Sequence, residues 1–477
     1  MFIVKMENIN YEKIGFKAGL EIHQQLDGKK LFCNCPVETN KKEKPDLIVK
    51  RKLRAVAGAE GEKDIAALYE EGKDKTFVYE FYHDCNCLVE LDEEPINHIN
   101  KYALEAALQI SLLLKAKPVK KIKVMRKIVI DGSNVSGFQR TMLIAENGKI
   151  ETSKGTIKIP TILLEEEAAK KISTNGKEVT YRLDRLGVPL LEIGTSADIK
   201  DPEHAKETAE KIGMILRSVD LTKRGIGTIR QDVNVSIKNS PRIEIKGFQD
   251  LKSIPKIVEY EVLRLQHDAP KEGEVRKAEP DLTSSFLRPL PGEARMYPET
   301  DHEEIIITNE LLKKIKIPEL LTEKTIKLEN KFNLPSEIAE ELIKNKINLE
   351  NYTKDYKEVS PSLIAQTLIT APKEIRARFH FEPKLKEKDF RFVFENLNRQ
   401  KIPKDSVIDI LVDLAKGKTP NLDNFEKLSD KDLEREIEKI IIENKNAPFN
   451  ALMGIAMSKL KGKTEAKKIA DIIKKFI

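Results

Sequence analysis

The stretch Ala18–Leu26, which reads AGLEIHQQL, indicates both the fold and the chemistry of this chain more clearly than any other. Alternate side chains of an extended strand point to opposite faces, so Glu21, His23 and Gln25 share one face while the residues between them share the other. A strand that presents a carboxylate, an imidazole and an amide together is unusual. It predicts a sheet with ligands for a hard metal ion on one face.

The segment 230–246 repeats this alternation. Arg230–Ile237 (RQDVNVSI) and Arg242–Lys246 (RIEIK) alternate polar with aliphatic residues, and the four residues that join them read as a turn. The pattern predicts a β-hairpin with one apolar face. Its other face carries four polar side chains: Asp232, Asn234, Glu244 and Lys246. Taken alone, the pattern also fits an ordinary half-exposed hairpin.

More acidic residues lie in apolar surroundings. Glu192 stands within Val188–Ile193 (VPLLEI), and Glu165–Glu167 follow Ile162–Leu164 directly. A buried carboxylate is costly unless it binds a cation or a hydrogen-bond donor. Several carboxylates with one histidine suit Mg²⁺, and phosphates can complete its coordination. The sequence has no convincing phosphate-binding loop of the G-x4-G-K-[ST] or G-x-G-x-x-G type, so any ATP must be held by metal ions on a sheet.

Arg126 and Lys127 precede a predicted strand, Ile128–Ile130, which ends at the turn Asp131–Asn134. A lone Arg-Lys pair is usually solvated surface. Next to a glycine-containing turn, the pair can also hold a phosphate or a carboxylate of a substrate.

The four cysteines form two C-x-C pairs, Cys33 with Cys35 and Cys85 with Cys87. Paired cysteines in a cytosolic chain indicate metal ligands before disulfides. Four thiolates suit a tetrahedral zinc site, although C-x2-C is the commoner spacing. The alternative interpretation is four reduced thiols near a surface.

The organisation of the chain changes near residue 305. Strand-like alternation dominates before that point, with a helix predicted from Asn100 to Lys115. The remainder is almost wholly helical, with helices that begin at Pro335–Glu337 and at Ser360–Pro361. The polar stretch His267–Thr283 reads as a linker or long loop.

Length and charge set broad limits. The 477 residues predict two or three domains, and the net charge of +6 is compatible with nucleic acid as a partner without requiring it. The chain contains no run of 18 apolar residues and no signal-like start, which predicts a soluble cytoplasmic protein with no membrane association.

These motifs together resemble the B/E subunits of tRNA-dependent amidotransferases (the GatB/GatE family), and within it the archaeal E-type subunits of glutamyl-tRNA(Gln) amidotransferase. The resemblance extends over nearly the whole chain. The matching segments are Gly19–Leu26, Lys30–Pro36, Met125–Lys127, Asp131–Asn134, Gly137–Thr141, Leu164–Ala168, Leu183–Ile193, Gly227–Asn234, Arg295–Asp301 and, as a tRNA-binding tail, Leu452–Met457 with Lys461–Lys463.

The resemblance implies an ATP-dependent carbon–nitrogen ligase. ATP and Mg²⁺ would phosphorylate the γ-carboxylate of the glutamate esterified to Glu-tRNA(Gln), and ammonia would displace phosphate to give Gln-tRNA(Gln). The ammonia would come from an asparaginase-like D subunit, with both subunits assembled as an α2β2 heterotetramer.

The resemblance also implies roles for individual residues. One divalent-metal set would be His23, Glu166 and Glu192, and a second would be Glu21, Asp232 and Glu244. Lys127 would lie at the mouth of the ammonia path. Contacts with ATP or the other substrate would come from six residues: Arg126, Ser133, Asn134, Gln139, Asn234 and Lys246.

The implied fold is α+β. A cradle-like antiparallel sheet domain similar to glutamine synthetase would span 1–307, followed by helical domains at 308–390 and 391–477, the last of which would bind tRNA. Archaeal E-type subunits usually carry an insertion that resembles a domain of bacterial aspartyl-tRNA synthetase. Here only a short polar stretch separates Leu251 from Leu287, so the chain is expected to lack that domain.

Three alternatives remain. The chain could be a non-catalytic tRNA-binding factor on a degenerate cradle, but the intact acidic set, with Glu192 in an apolar run, argues against this. It could be a stand-alone ammonia-using ligase, but the long basic helical tail argues against that. It could also be an amidotransferase that acts on Asp-tRNA(Asn) as well.

Overall fold

A computed structural model describes residues 9–38, 43–59, 61–248, 250–290, 296–422, 430–444, 447–460 and 466–476. Arg295 and Lys461–Lys463, which contribute to the resemblance, lie outside these residues. The chain divides into two units, Met1–Leu320 and Leu321–Ile477.

The first unit combines strands with a few helices. Its strands are β1 (Lys17–Gln25), β2 (Leu47–Arg51), β3 (Thr76–Phe81), β4 (Lys117–Pro118), β5 (Lys121–Ile122), β6 (Val124–Ile128), β7 (Phe138–Thr152), β8 (Gly155–Glu166), β9 (Lys170–Asn175), β10 (Glu178–Arg182), β11 (Pro189–Gly194), β12 (Ile229–Ser236), β13 (Ile243–Lys246), β14 (Glu274–Ala278), β15 (Ser284–Pro289), β16 (Met296–Pro298) and β17 (Ile305–Ile306). Its helices are α1 (Ile65–Glu71), α2 (Lys101–Leu113), α3 (Pro202–Arg217), α4 (Ser253–His267) and α5 (Asn309–Lys314).

An eleven-stranded sheet is the largest among the described residues. Its strand order is β15-β14-β13-β12-β1-β11-β8-β7-β6-β16, and β4 pairs with β7. Neighbouring strands are antiparallel except β13 and β14, which are parallel. A smaller sheet has the order β2-β3-β10-β9, and β5 pairs with β17.

The strands of the large sheet bury alternate residues against helices. Helix α2 packs on β7, α3 on β1, and α4 on β12. Leu20, Ile22, Val233 and Val235 are at most 1% exposed and belong to the core on this side. Because the side-chain period of a strand is two, the polar residues between them point to the opposite face. That face therefore carries the polar side chains.

Helix starts follow the capping signals of the sequence. The Asn100 side chain accepts hydrogen bonds from the backbone N–H groups of Tyr102 and Ala103 at the start of α2. Asp201 caps α3, and Pro202 occupies its first turn, where a missing N–H costs nothing.

The second unit is helical where the structure describes it. Its α-helices are α6 (Leu321–Phe332), α7 (Ser336–Lys344), α8 (Leu349–Asp355), α9 (Pro361–Phe379), α10 (Glu387–Asn398), α11 (Val407–Ala415), α12 (Asp430–Glu443), α13 (Phe449–Lys459) and α14 (Ala466–Phe476), and a short 3-10 helix spans Lys404–Ser406. One hydrophobic core spans Leu334–Val412, and another joins α12, α13 and α14 between Leu433 and Ile473.

The fold confirms the α+β class, with a sheet unit followed by helices. It also confirms the hairpin β12–β13, the helix predicted over 100–115 and the helix starts at Ser336 and Pro361. Among the described residues, none of the helices combines the length and the apolar character that a membrane span requires. The domain boundaries at 307 and 390 remain proposals, and the observed units and cores favour boundaries at 320 and between Val412 and Leu433.

The expectation of a loop over His267–Thr283 is wrong. His267 ends α4, and β14 lies inside this stretch, where it extends the large sheet. Val275 and Arg276 are both buried there. The strand is recognisable only through its pairing with β13 and β15, since its own sequence lacks a clear alternation.

Candidate active site

A cavity of about 540 Å³ lies on the polar face of the large sheet. Its floor is formed by β13, β12, β1, β11 and β8, which bring acidic side chains from distant segments side by side. Among the described residues, six acidic side chains line it, namely Glu21, Glu165, Glu167, Glu192, Asp232 and Glu244. Five basic side chains from the same described ranges line it with them, namely Lys127, Arg230, Arg242, Lys246 and Arg288.

The first candidate metal set centres on His23. Strand pairing places His23 directly opposite Glu192 of β11, and both point into the cavity. The His23 Nε2 atom lies 3.3 Å from Glu21 Oε1 and 3.5 Å from Glu192 Oε2. One ligand atom from each of these three residues falls within 4.8 Å of the others, which is a spacing that suits a shared cation.

The second candidate set shares Glu21 with the first. Glu21 pairs with Asp232 of β12, and Glu244 follows on β13. Ligand atoms of Glu21, Asp232 and Glu244 also lie within 4.8 Å of one another. Lys246 Nζ lies 2.6 Å from Asp232 and 2.5 Å from Glu244, so an ammonium group stands among these carboxylates as their counter-charge.

The raised pKa of His23 fits a site that can hold a cation. Burial lowers the pKa of His23, but hydrogen bonds to Glu192 and Glu21 outweigh it and raise the pKa to about 10. Burial raises the pKa of Glu192, but Lys127 and His23 together hold it well below its ordinary value. A proton on His23 thus supplies the positive charge that a metal would supply, and metal binding must release it.

The structure does not bring Glu166 to these sets. Glu165, one residue earlier, lines the cavity, where its carboxylate is hydrogen-bonded to Lys127 and adjoins Glu192. Leu163 pairs with Glu192 across β8 and β11, so the period of two puts Glu165 on the same face as Glu192. Glu166 points to the opposite face, 3.3 Å from Arg140 Nη1.

Arg126 also lies on that opposite face. Both Arg126 and Lys127 lie within β6 rather than before a strand, so their side chains diverge. Lys127 enters the cavity, and its Nζ lies 3.9 Å from Glu192 Oε2. Arg126 instead pairs with Glu299 and stacks over Phe138, with 4.6 Å between the guanidinium carbon and the ring centre. It does not line the cavity.

The other residues predicted to contact substrate do line the cavity, namely Ser133, Asn134, Gln139, Asn234 and Lys246. Gln139 Nε2 donates to Glu165 Oε2 at 3.1 Å and to the Glu166 carbonyl at 2.7 Å, which fixes the end of β8.

The sequence singled out the run Glu165–Glu167, but the resemblance assigned only Glu166. Three arginines that line the cavity were not predicted, namely Arg230, Arg242 and Arg288. The alternation of β12 could have identified Arg230, because Arg230 stands two residues before Asp232 and therefore shares its face. The run of three glutamates obscured Glu165 and Glu167. Arg288 lies on β15, which among the described strands pairs with β14 alone, so its position in the site cannot be read from the local sequence.

A separate cluster brings together three cysteines and a glutamate. Ligand atoms of Cys33, Cys35, Cys87 and Glu90 lie within 4.8 Å of one another. Cys33 Sγ is 2.9 Å from Glu90 Oε1, and hydrogen bonds from Cys33 and Cys35 lower the pKa of the Cys87 thiol. Cys85 is buried outside this cluster, with its Sγ 4.0 Å from Asn86 Oδ1.

Comparison with known proteins identifies the family. Residues 16–313 match a family described as GatB/GatE catalytic domain. The chain is 36% identical to the E-type subunit of glutamyl-tRNA(Gln) amidotransferase from Methanocaldococcus jannaschii, in an alignment that covers 98% of this chain and 99% of that protein. The corresponding proteins of Archaeoglobus fulgidus (33%; 98% and 99% covered) and Pyrococcus furiosus (35%; 92% of each) are similar.

The alignment with the Methanocaldococcus protein spans 624 positions, whereas this chain has 477 residues, so at least 147 positions of that relative have no counterpart here. This agrees with the expected lack of an insertion domain. Identity over nearly the full length, together with the match of the cavity-bearing unit, shows that the chain belongs to the GatB/GatE family.

Proposed function

We propose that this chain is the transferase subunit of a tRNA-dependent amidotransferase that converts Glu-tRNA(Gln) to Gln-tRNA(Gln). The observation that carries the proposal is the pair of acidic sets that share Glu21 on one cavity floor. Two adjacent cation sites of mainly carboxylate ligands suit the binding of ATP phosphates and the transfer of a phosphoryl group. The names of the relatives support the tRNA substrate and imply that other subunits take part.

The donor sets fit Mg²⁺. Each offers three ligands, fewer than the octahedral shell of Mg²⁺ takes, so phosphate oxygens can complete the coordination. Lys246 and a protonated His23 supply positive charge beside these carboxylates. When bound, Mg²⁺ would neutralise the phosphates and polarise the transferred phosphoryl group. Glu21, His23 and Glu192 would hold one ion, with Glu165 beside Glu192 as a further ligand, and Glu21, Asp232 and Glu244 would hold the other.

The remaining cavity residues would orient substrates. Asn134, Gln139 and Asn234 present neutral donors and acceptors at the walls. The γ-carboxylate oxygen attacks the γ-phosphorus of ATP and ADP leaves. Ammonia then attacks the activated carbonyl carbon, phosphate departs, and one proton from the ammonia nitrogen is released. We assign Lys127, which is buried and paired with Glu165, to the mouth of the path by which ammonia reaches that carbon.

The ammonia source is proposed to be an asparaginase-like D subunit, in an α2β2 heterotetramer. The experiment that tests the proposed function supplies ammonia directly. The purified chain is mixed with ¹⁴C-Glu-tRNA(Gln), ATP, Mg²⁺ and ammonium, and the amino acid released from the tRNA is identified. Labelled glutamine is expected with ammonium and is not expected when asparagine or glutamine replaces it. Unchanged glutamate in all reactions would contradict the proposal.

We also propose that Cys33, Cys35, Cys87 and Glu90 bind a structural zinc ion. Three thiolates and a carboxylate make an acceptable tetrahedral site. Cys85→Ser is expected to retain about one zinc per chain by elemental analysis, because its thiol lies outside the cluster, whereas Cys87→Ser is expected to lose it. Zinc lost from Cys85→Ser and retained in Glu90→Gln would instead support a site of four thiolates.

We propose that the C-terminal helices bind the tRNA body. Asn446–Ile477 carries seven lysines against one Glu and one Asp. Leu452, Ala456 and Leu460 are buried against α12 and α14, so this part folds as a small helical core with lysines on its surface. Contacts from lysines to phosphates are sensitive to salt.

The double variant Lys467→Glu with Lys474→Glu tests this tRNA binding, because both side chains are exposed and the helical core stays intact. We expect a higher apparent KM for Glu-tRNA(Gln), an unchanged KM for ATP, and a salt slope of tRNA binding reduced by about 1 for each phosphate that the variant no longer neutralises. Lys170→Glu with Lys171→Glu, on exposed β9, controls for net charge. Equal tRNA affinity and salt slope in the tail variant and the parent chain would show that α14 is merely a solvated helix.

A further inference from the structure

Glu167 is the buried centre of a group of side chains beside the candidate metal sets. It is 2% exposed, although it bears a carboxylate. Gln25 Nε2 donates to its Oε2 at 3.0 Å, Arg230 Nη2 lies 2.5 Å from the same oxygen, and the Ala168 N–H donates to Oε1 at 3.1 Å. Three donors, one of them a guanidinium, therefore hold the Glu167 carboxylate in place.

The two arginines around Glu167 differ in what they face. Arg185 donates from Nε to the Ala168 carbonyl at 2.8 Å and from Nη2 to the Ala169 carbonyl at 2.9 Å. Its hydrogen-bonding capacity is thus directed to the backbone. The Arg230 side chain is 39% exposed and lines the cavity, and Glu167 is its hydrogen-bond partner among the described residues.

Strand pairing sets the position of Arg230. Arg230 of β12 lies opposite His23 of β1, which in turn lies opposite Glu192 of β11. Directly opposed residues have side chains on one face with Cβ atoms about 5 Å apart. Arg230 therefore stands in the same row as the first candidate metal set, and Asp232 of the second set is two residues away on the same strand.

In this arrangement the Arg230 guanidinium is held in place by Glu167 and still has N–H groups that can bind an anion. A guanidinium has five N–H groups in a planar fork, which matches two oxygens of a phosphate. Two arginines against one glutamate leave the group with a net positive charge, and Arg230 is the member that reaches the cavity. Because Glu167, itself held by Gln25, fixes one edge of the fork, little side-chain freedom remains to be lost when an anion binds.

We infer that Arg230 is a catalytic residue that binds the phosphoryl group during its transfer from ATP to the γ-carboxylate, and that Glu167 is the positioning residue that aims it. The inference rests on the proposed function. As the γ-carboxylate oxygen bonds to phosphorus and the bond to the ADP oxygen breaks, negative charge is carried by the equatorial phosphoryl oxygens. Arg230 donates N–H hydrogen bonds to those oxygens, and it gains and loses no proton.

The test measures ADP formation that depends on Glu-tRNA(Gln), with the parent chain as reference. Arg230→Ala is expected to lower kcat by about a hundredfold or more, as loss of one electrostatic stabiliser does, while the KM for Glu-tRNA(Gln) changes little. Added guanidinium ion is expected to restore part of the rate, since it can occupy the vacated position. Arg378→Ala, which removes an exposed ion-paired arginine of α9, is the control and should change neither value.

A second measurement separates the phosphoryl group of ATP from the phosphates of the tRNA. Binding of Glu-tRNA(Gln) without ATP is expected to be the same for the parent chain and Arg230→Ala. Weaker tRNA binding with an unchanged kcat would assign Arg230 to a phosphodiester of the tRNA and overturn the inference. An active parent chain with an equally active Arg230→Ala variant would also overturn it while leaving the proposed function intact. An inactive parent chain would overturn the function and the inference together.

Glu167→Gln distinguishes positioning from a merely structural role. If Glu167 acts through Arg230, the loss of kcat in the double variant Glu167→Gln with Arg230→Ala should nearly equal that of Arg230→Ala alone. Guanidinium rescue should then be lost, because the ion has no anchor. Losses that multiply, with rescue retained, would contradict the positioning role.

Discussion

Replacing Glu192 by glutamine is expected to lower the rate of Gln-tRNA(Gln) formation by about a hundredfold or more, with the fold preserved. Glu192 lies on the cavity floor, 3.5 Å from His23 Nε2 and 3.9 Å from Lys127 Nζ. Glutamine has nearly the same shape but removes one negative charge from the first metal set. Both the hold on the ion and the stabilisation of the transferred phosphoryl group should weaken.

The measurement is the rate of Gln-tRNA(Gln) formation with ammonium supplied, at saturating ATP and Mg²⁺. A thermal unfolding curve checks that the variant keeps its fold. Glu178→Gln is a matched control, because Glu178 lies on β10 and is paired with Lys50 at the surface. It should behave like the parent chain. A Glu192→Gln variant with near-parental turnover would show that Glu192 is only a buried structural acid.

Glu165 and Glu166 should respond in opposite ways to the same substitution. Glu165→Gln is expected to lower activity about a hundredfold and to weaken Mn²⁺ binding, since its carboxylate adjoins Glu192 in the cavity. Glu166→Gln is expected to leave Mn²⁺ binding unchanged and to reduce thermal stability instead. Glu166 lies on the reverse face, where it partners the buried Arg140, and weakening a buried charge pair is destabilising.

Electron paramagnetic resonance of bound Mn²⁺ measures this contrast directly. The pair serves as its own control, because the two residues are adjacent and chemically identical. Loss of Mn²⁺ binding in Glu166→Gln but not in Glu165→Gln would restore Glu166 to the metal set and refute the assignment of Glu165.

The sequence predicted the parts of the site that depend on alternation within one strand. Glu21 and His23 of β1, and Asp232 of β12, lie on the predicted face because the period of a strand is fixed at two. Glu192 could be predicted because a carboxylate in an apolar run needs a partner. The large sheet, the helical second unit and the α+β class followed from the same patterns.

The positions that the sequence did not predict depend on the register between strands and on other tertiary contacts. Three consecutive glutamates allow either face, and only the pairing of Leu163 with Glu192 decides that Glu165 enters the cavity. Arg126 was misplaced because β6 begins at Val124, before the predicted strand. Cys85 shares the C-x-C spacing of Cys87, yet Glu90 contributes to the cluster in its place. Such choices are made by tertiary contacts that a local pattern does not contain.

The central claim is that the cavity transfers a phosphoryl group to the γ-carboxylate of a tRNA-linked glutamate. Its most direct test uses Glu-tRNA(Gln) with both γ-carboxylate oxygens labelled with ¹⁸O, incubated with the purified chain, ATP, Mg²⁺ and ammonium. Mass spectrometry of the released inorganic phosphate is expected to show one ¹⁸O atom for each glutamine formed, because the attacking carboxylate oxygen leaves with phosphate. Glutamine formed alongside unlabelled phosphate, or ¹⁸O found in AMP, would contradict the claim.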